Sequence, residues 1–556
     1  MTLVCLGLLL SWGGCRSKAL PSYILLISID TLRADRLGCY GYGAARTPFL
    51  DRIAGEGVLF AEARSPVPLT LPSHASILTG MNPPHHGIRN NGHYYLKPEM
   101  VTLAERLEEN GYDTAAFVSC LVMDGRYGLD QGFQVYEDDV EPHPIGTRFI
   151  DEIPAEMVLD RAWSWLQNKK RKKPCFAFIH LFDPHQPYSP PEGFALGETP
   201  SDLYDGEIAY ADSCLSAFFD KLERAGMTDK MLLVVLSDHG ESLGEHGEDT
   251  HGVFLYDSTV HVPLLFWKGS LTRLSIPFKK GTTTQDVTLA DVAPSLVEVL
   301  GLEEFEEVEG RSFAGALAGK TSADSRGFYL ETLLPELDYG WAPLKGWFQG
   351  GYKYIDAPKE ELYDTRGDPK EEYNLLLCEP DLAVKYRNAL AQTKHINRAS
   401  TRSMEAKERR RLEGLGYLSG SHDPTPREKA DPKDRVHLLK GITYLSGFLD
   451  HGKFEEAIFL AQTLLEEDPS LVCVLRSLGE ALSFSGRHLE AVSVYERALA
   501  LAPQHSDTHN NLGCVYLALH DPDHASKHFG MALANDPNHP EARANLILVS
   551  KDKGTR

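Results

Sequence analysis

"MLLVVLSDHG", residues 231–240, is a run of six apolar residues, rich in Leu and Val, that leads straight into Ser237, Asp238, His239 and Gly240. A strand this uniformly apolar has no solvent face and belongs in a sheet covered on both sides. The same pattern recurs in "YILLISID" (23–30) and "PCFAFIHLF" (174–182), with "HVPLLFW" (261–267) as a shorter companion. Helical patterns such as "TPFLDRIAGEG" and "MVTLAERLEENGY" lie between them. Buried strands alternating with helices predict an α/β fold with a doubly wound sheet. Ligands of such sheets sit at the carboxyl ends of the strands.

That rule selects residues. Asp30 ends the first strand, Asp183 and His185 follow the second, and Asp238 with His239 ends the third. Two carboxylates and an imidazole brought together in a buried place repel one another or suffer desolvation unless a divalent cation holds them. A mixed N/O set suits zinc or manganese better than calcium, with one or two ions per chain.

"PVPLTLPSHASILTG" (66–80) supplies a hydroxyl. Ser73 and the proline start a helix, which aims backbone N–H groups and a positive dipole end toward an anion near Thr70. A hydroxyl beside a cation loses its proton near neutral pH, so Thr70 is the candidate nucleophile. Downstream, "DHGESLGEHGEDTHG" places His251 twelve residues after His239, with Glu241, Glu245 and His246 between them. His185 and His251 are suited to hold anionic oxygens, bind a second metal or protonate a leaving group. His85 and His86, in "NPPHHG", read as loop residues.

The chain has 556 residues, 42% hydrophobic, enough for several domains and a large core. Its net charge of −23, from 79 acidic and 56 basic side chains, excludes a general nucleic-acid binder. The local run "KKRKK" (169–173) reads as a solvated helix end. Nine cysteines without CxxC pairs give no metal knuckle or disulfide framework. At the N-terminus, "LVCLGLLLSWGGC" has signal-peptide length and ends in small residues and Cys15. It points to export to a bacterial periplasm or cell envelope, with Cys15 the candidate for lipid attachment and this segment the only membrane attachment.

Near the C-terminus the chain repeats. Pro469, Pro503 and Pro537 recur every 34 residues, as do Ala457, Ala491 and Ala525. Gly479 and Gly513, Tyr495 and Phe529, and Ala498 and Ala532 keep the same interval, although Leu445 stands where the first repeat should have its glycine. Small residues let two helices approach closely, an aromatic fills the groove, and the proline closes the second helix. This pattern resembles the tetratricopeptide repeat family, about three repeats with a capping helix over 437–556. Such solenoids present a concave face to peptides or subunits, so a protein partner is expected there. "SGSHDPTPREKADPKD" (419–434) reads as linker.

"IDTLRADRLGCYGY", "TLPSHASILTG", "HLFDPHQPY", "SDHGESLGEHG" and "GYKYIDAPKEELYDTRGDPKEEYNL" together resemble the sulfatase family of the alkaline phosphatase superfamily, across roughly 22–380. The resemblance implies an alkaline-phosphatase-like doubly wound sheet with a small C-terminal antiparallel-sheet subdomain. The expected division is a leader at 1–20, a catalytic domain at 21–324, its subdomain at 325–395, a helix and linker at 396–436, and the repeats. By motif position, Asp30, Asp238 and His239 would be metal ligands and Thr70 the nucleophile and fourth ligand. Asn91, His74, His185 and His251 would contact the substrate's anionic group, with Asp183 beside them.

The departures from the family are informative. Sulfatases carry Cys or Ser, then x-Pro-Ser-Arg, and the first residue is oxidised to formylglycine; here the residues are Thr70 to His74, and Thr cannot give that aldehyde. Thr31 follows Asp30 where an adjacent acidic pair is usual. "DTLRAD" and the later histidine are instead similar to the phosphoethanolamine and glycerol-phosphate transferases, which use an unmodified threonine. The expected function is metal-dependent cleavage or transfer of phospho- or sulfo-esters, phospho-esters favoured and no formylglycine expected. The alternatives are a sulfuric ester hydrolase proper and a non-catalytic scaffold acting through the repeats.

Overall fold

Alternation along the apolar strands decides which side chain enters which core. In β1 (Tyr23–Ile29), Leu25, Ile27 and Ile29 face one helical layer, while Ile24 and Leu26 face the other. β5 (Cys175–Leu181) and β6 (Met231–Leu236) split in the same way: Ala177, Ile179, Leu233 and Val235 on one side, Phe176, Phe178, Leu232 and Val234 on the other. This computed structural model describes residues 21–554 apart from 141–142, 146–147, 151, 169, 321–325, 394–400, 402–407, 409–410 and 413–428. The leader with Cys15, Lys169 and most of the expected 396–436 linker lie outside the described residues.

The remaining strands of the main sheet are β2 (Val58–Phe60), β3 (Asp113–Phe117), β4 (Val135–Glu137), β7 (Leu264–Lys268) and β8 (Gly281–Thr283). The sheet runs β8-β2-β7-β6-β1-β5-β3-β4. β1 pairs in parallel with both β5 and β6, and β7 lies antiparallel to its neighbours β6 and β2. One face carries helix α1 (Thr70–Thr79); the other carries α2 (Ala155–Leu166) and α3 (Pro200–Arg224). The doubly wound α/β architecture is therefore as expected.

A separate antiparallel sheet follows: β9 (Phe328–Thr332), β10 (Leu344–Gln349), β11 (Tyr352–Asp356) and β12 (Glu361–Asp364). Its buried Lys353 reaches across to Asp257 at 2.6 Å and to the carbonyl of Leu255 at 2.8 Å. Arg64 of the main body holds the same Asp257 from the other side, at 2.7 Å. A buried charge network of this kind resists separation because removing one partner strands the others.

The C-terminal region is all helical: α4 (Leu439–Asp450), α5 (Phe454–Glu467), α6 (Val472–Phe484), α7 (His488–Leu501), α8 (Ser506–Ala518), α9 (Pro522–Asn535) and α10 (Pro540–Gly554). The phased residues have steric reasons. A Cβ on Gly479 would lie 2.7 Å from the Tyr495 ring, and one on Gly513 would lie 2.6 Å from the Phe529 ring. In the first repeat the sizes are exchanged, with buried Leu445 at the glycine position and buried Ala461 at the aromatic one. The repeats pack onto the catalytic unit: Trp341, just past the short helix Leu334–Tyr339, donates its indole N–H to Asp468 at 3.3 Å. Among the described residues no helix is long and apolar enough to cross a membrane. His86, expected in a loop, is instead a core residue, buried in the short helix Pro83–His86 with Nε2 3.1 Å from Ser76 Oγ.

Candidate active site

Register builds the site. Ser28 of β1 pairs with Leu236 of β6, so Asp30 and Asp238 emerge side by side two residues later. Thr70 opens α1, and its Oγ1 lies 3.2 Å from His239 Nε2. The same Nε2 is 3.3 Å from Asp238 Oδ2 and 3.6 Å from Asp30 Oδ1. His239 donates Nδ1–H to the carbonyl of Gly240 at 2.9 Å, which fixes the tautomer and turns the Nε2 lone pair toward the two carboxylates. Thr31, at a φ of 54°, holds the strained left-handed conformation that lets its N–H reach Asp238 Oδ1 at 3.3 Å.

The charge balance requires a cation. Both oxygens of Asp30 and Oδ2 of Asp238 are buried without a hydrogen-bond partner among the described residues. Burial, reinforced by Glu241, pushes Asp30 up to about 7 against the pull of His239. Asp238 is raised as well, by burial and then by Asp30. Burial pulls His239 down, but Asp238 and Asp30 outweigh it and its pKa rises. Groups this costly to leave unmatched fit a divalent ion held by Asp30, Asp238, His239 and Thr70 Oγ1, and the donor atoms of the first three all lie within 4.8 Å of one another.

Asn91 comes beside the start of α1. Its Oδ1 accepts the N–H of Leu71 at 2.9 Å, which leaves the buried Nδ2 as a donor with no acceptor among the described residues. His251 donates Nδ1–H to Glu241 Oε1 at 2.9 Å, with its ring 4.4 Å from that of His239 and 5.1 Å from that of His185. His185 donates Nδ1–H to the Gln186 carbonyl at 2.6 Å and stacks on Phe182. Burial lowers His185 to about 3 and holds His251 well below its ordinary value, so both rings are neutral near pH 7.

Two residues expected at the substrate are otherwise engaged. His74 donates Nδ1–H to the Thr70 carbonyl at 2.8 Å and accepts from Ser28 Oγ at 2.9 Å, so it is a strut under Thr70 rather than an anion contact. Burial lowers it to about 3, in keeping with a neutral ring. Asp183 accepts the N–H of Ala155 at 2.9 Å at the start of α2. His180, whose Nε2 is 3.2 Å from Asp30 Oδ2, and Cys120 beside it join the site without a signal of their own in the sequence. A histidine inside an apolar strand reads as core, and only the pairing of His180 with Ser28, two residues before Asp30, signals its place.

A doubly wound sheet that gathers two carboxylates, an imidazole and a threonine hydroxyl at its carboxyl edge has the layout of an ester hydrolase. The chain belongs to the sulfatase family, whose model matches residues 22–302, and a tetratricopeptide repeat model matches residues 470–538. It is 25% identical over 433 residues to a Δ4,5-hexuronate-2-O-sulfatase of Bacteroides thetaiotaomicron, covering 66% of this chain and 87% of that one. It is 22% identical over 486 residues to an arylsulfatase of Clostridium perfringens, covering 71% and 97%. Among solved structures, the phosphonate monoester hydrolase of Agrobacterium radiobacter superposes with a TM-score of 0.56 at 20% identity, over 67% of this chain and 95% of that one.

Proposed function

We propose that this enzyme cleaves phospho-esters, and less readily sulfo-esters, in two steps through an unmodified Thr70. The observation that carries the reading is Thr70 Oγ1 at 3.2 Å from His239 Nε2, beside the orphaned carboxylates of Asp30 and Asp238. A zinc or manganese ion, or less favourably calcium, would lower the pKa of the Thr70 hydroxyl and offset the charge of the transferring group. Thr70 Oγ attacks phosphorus and the ester oxygen departs. Asn91 Nδ2 and the N–H of Thr70, at the start of α1, would face the anion. In the second step His251, with Nδ1–H tied to Glu241, takes a proton on Nε2 from the water that attacks phosphorus, and Thr70 regains its hydroxyl.

Threonine favours phosphate on chemical grounds. A hydrated formylglycine expels sulfate by collapsing to the aldehyde, whereas a threonine sulfate must be cleaved by water at sulfur. The sulfatase relatives support sulfate esters as the second reading. The test is a panel of aryl phosphate, phosphodiester and sulfate esters on wild type, Thr70→Ala and Thr70→Cys, with accurate-mass spectrometry of the trapped enzyme. A phosphoryl adduct on Thr70 is expected; full activity in Thr70→Ala would overturn the assignment.

The repeats are proposed to bind a protein partner in the groove of about 390 Å³ lined by Leu445, Phe454, Arg476, Phe484, Asn510 and Asn511. The apolar leader ending in Cys15 supports export, with lipid attachment at that cysteine.

A further inference from the structure

The carboxylate of Asp30 faces two histidines with different oxygens. Oδ1 lies 3.6 Å from His239 Nε2, while Oδ2 lies 3.2 Å from His180 Nε2. His180 is fully buried, and its Nε2 has no hydrogen-bond partner among the described residues. Its Nδ1 lies 2.8 Å from Ser119 Oγ. When Nδ1 carries the proton and donates it to Ser119, the Nε2 lone pair points at the gap beside Asp30, the arrangement that orients a metal-binding imidazole. Cys120, buried and next in sequence to Ser119, closes the group: one ligand atom each from Asp30, Cys120 and His180 lies within 4.8 Å of the others. This group shares only Asp30 with the Asp30, Asp238 and His239 group.

We propose that Asp30 bridges two cations: one with Asp238, His239 and Thr70, and a second, zinc-type ion with Cys120 and His180. The donor set decides the type of ion. A thiolate and an imidazole with one carboxylate oxygen select zinc over magnesium, calcium or manganese. Binding displaces the Cys120 proton to solvent, and the resulting thiolate is matched by the ion's charge. The second ion lies on the α1 side of the sheet, where the His180 and His74 rings are 4.9 Å apart. It holds Asp30 ionised and fixed from behind, and so acts on the first ion through the shared carboxylate. The inference rests on the proposed first cation site but makes a different claim about stoichiometry and ligands.

The test uses the full chain, stripped with chelator, reloaded with zinc and dialysed, with metal content measured by mass spectrometry. Two zinc ions per chain are expected for wild type, and one for each of Cys120→Ser, His180→Gln and Asp238→Asn. Cobalt loading gives the second readout: a thiolate-to-cobalt charge-transfer band in the near ultraviolet, present in wild type and Asp238→Asn and absent in Cys120→Ser. Thermal melts show which variants fold, and the wild-type zinc count and cobalt spectrum decide the matter if a variant does not. One zinc in wild type with no thiolate band, or two zinc ions retained in folded Cys120→Ser, overturns the second site alone. No bound ion in wild type overturns both sites.

Discussion

His251 Nδ1 lies 2.9 Å from Glu241 Oε1, and both side chains are buried. The carboxylate fixes which ring nitrogen carries the proton and leaves Nε2 as the basic one. If that nitrogen activates the second-step water, His251→Asn slows release of the adduct more than its formation. We expect turnover to fall by about 10²–10⁴, the usual contribution of a positioned base, with the Thr70 adduct accumulating in quenched samples. Equal slowing of burst and steady state would place His251 in the first step instead. Glu241→Gln keeps an acceptor for Nδ1–H and should lose less than His251→Asn.

Cation binding should become tighter as pH rises. Burial pushes Asp30 up to about 7 in the cation-free fold, against an ordinary value of 3.8. On this group alone, a raised folded pKa gives stability that is full below about pH 4 and is lost as pH rises through 7, by up to about 4 kcal/mol at 1.36 kcal/mol per unit. The cation binds the ionised carboxylate and reverses that loss. The buried neutral histidines His74, His180 and His185 act oppositely, since burial lowers them and their stability is lost as pH falls. The difference between loaded and stripped protein largely removes their common effect. The stabilisation by added zinc, measured as the urea midpoint difference, should therefore be larger at pH 8 than at pH 5, with about 2.7 kcal/mol expected at one hundred times Kd. A larger difference at pH 5 would contradict the Asp30 assignment.

His74 separates positioning from contact. Removing its ring takes a side-chain donor from the Thr70 carbonyl and strands the Ser28 hydroxyl, at about 1–3 kcal/mol for the buried group left unpaired. His74→Asn retains an N–H for the Thr70 carbonyl, so it should keep more kcat than His74→Ala at a similar KM. A selective rise in KM for both variants would restore the anion-contact role.

The sequence showed the site wherever chemistry interrupts a pattern. Asp30, Asp238 and His239 stand out because each ends an apolar strand, and Thr70 because it opens a helix between a proline-rich turn and small residues. His180 gives no such signal, since it lies within an apolar strand and becomes significant only through pairing with Ser28. Cys120 is one thiol among nine cysteines. Asp183 has the right position after a strand, yet a carboxylate there serves equally well to accept the N–H of Ala155. His74 stands where the sulfatase motif has arginine, and sequence position alone does not tell that a shorter ring turns back to its own helix. The repeat period was plain because the close fit of Gly479 under Tyr495 and Gly513 under Phe529 demands it.

The first repeat tests that steric logic. Leu445 and Ala461 are both buried and stand one period before Gly479 and Tyr495, with the large and small partners exchanged. Leu445→Gly alone removes buried methyl groups and should cost about 2–5 kcal/mol in the range of large-to-small core changes. Ala461→Tyr alone overpacks the same seam, at about 1–3 kcal/mol. If one groove accommodates either arrangement, the double variant Leu445→Gly with Ala461→Tyr restores the pattern of the later repeats. Its stability should then exceed the sum of the two single effects, with a coupling of about 0.5–3 kcal/mol in a double-mutant cycle read by chemical denaturation. Because Trp341 bonds Asp468 at the end of the same repeat, the destabilised single variants should also loosen the repeats from the catalytic unit. Faster proteolysis at that junction in the singles, reversed in the double variant, is the accompanying observation, and strictly additive effects would show that the two positions do not share a groove.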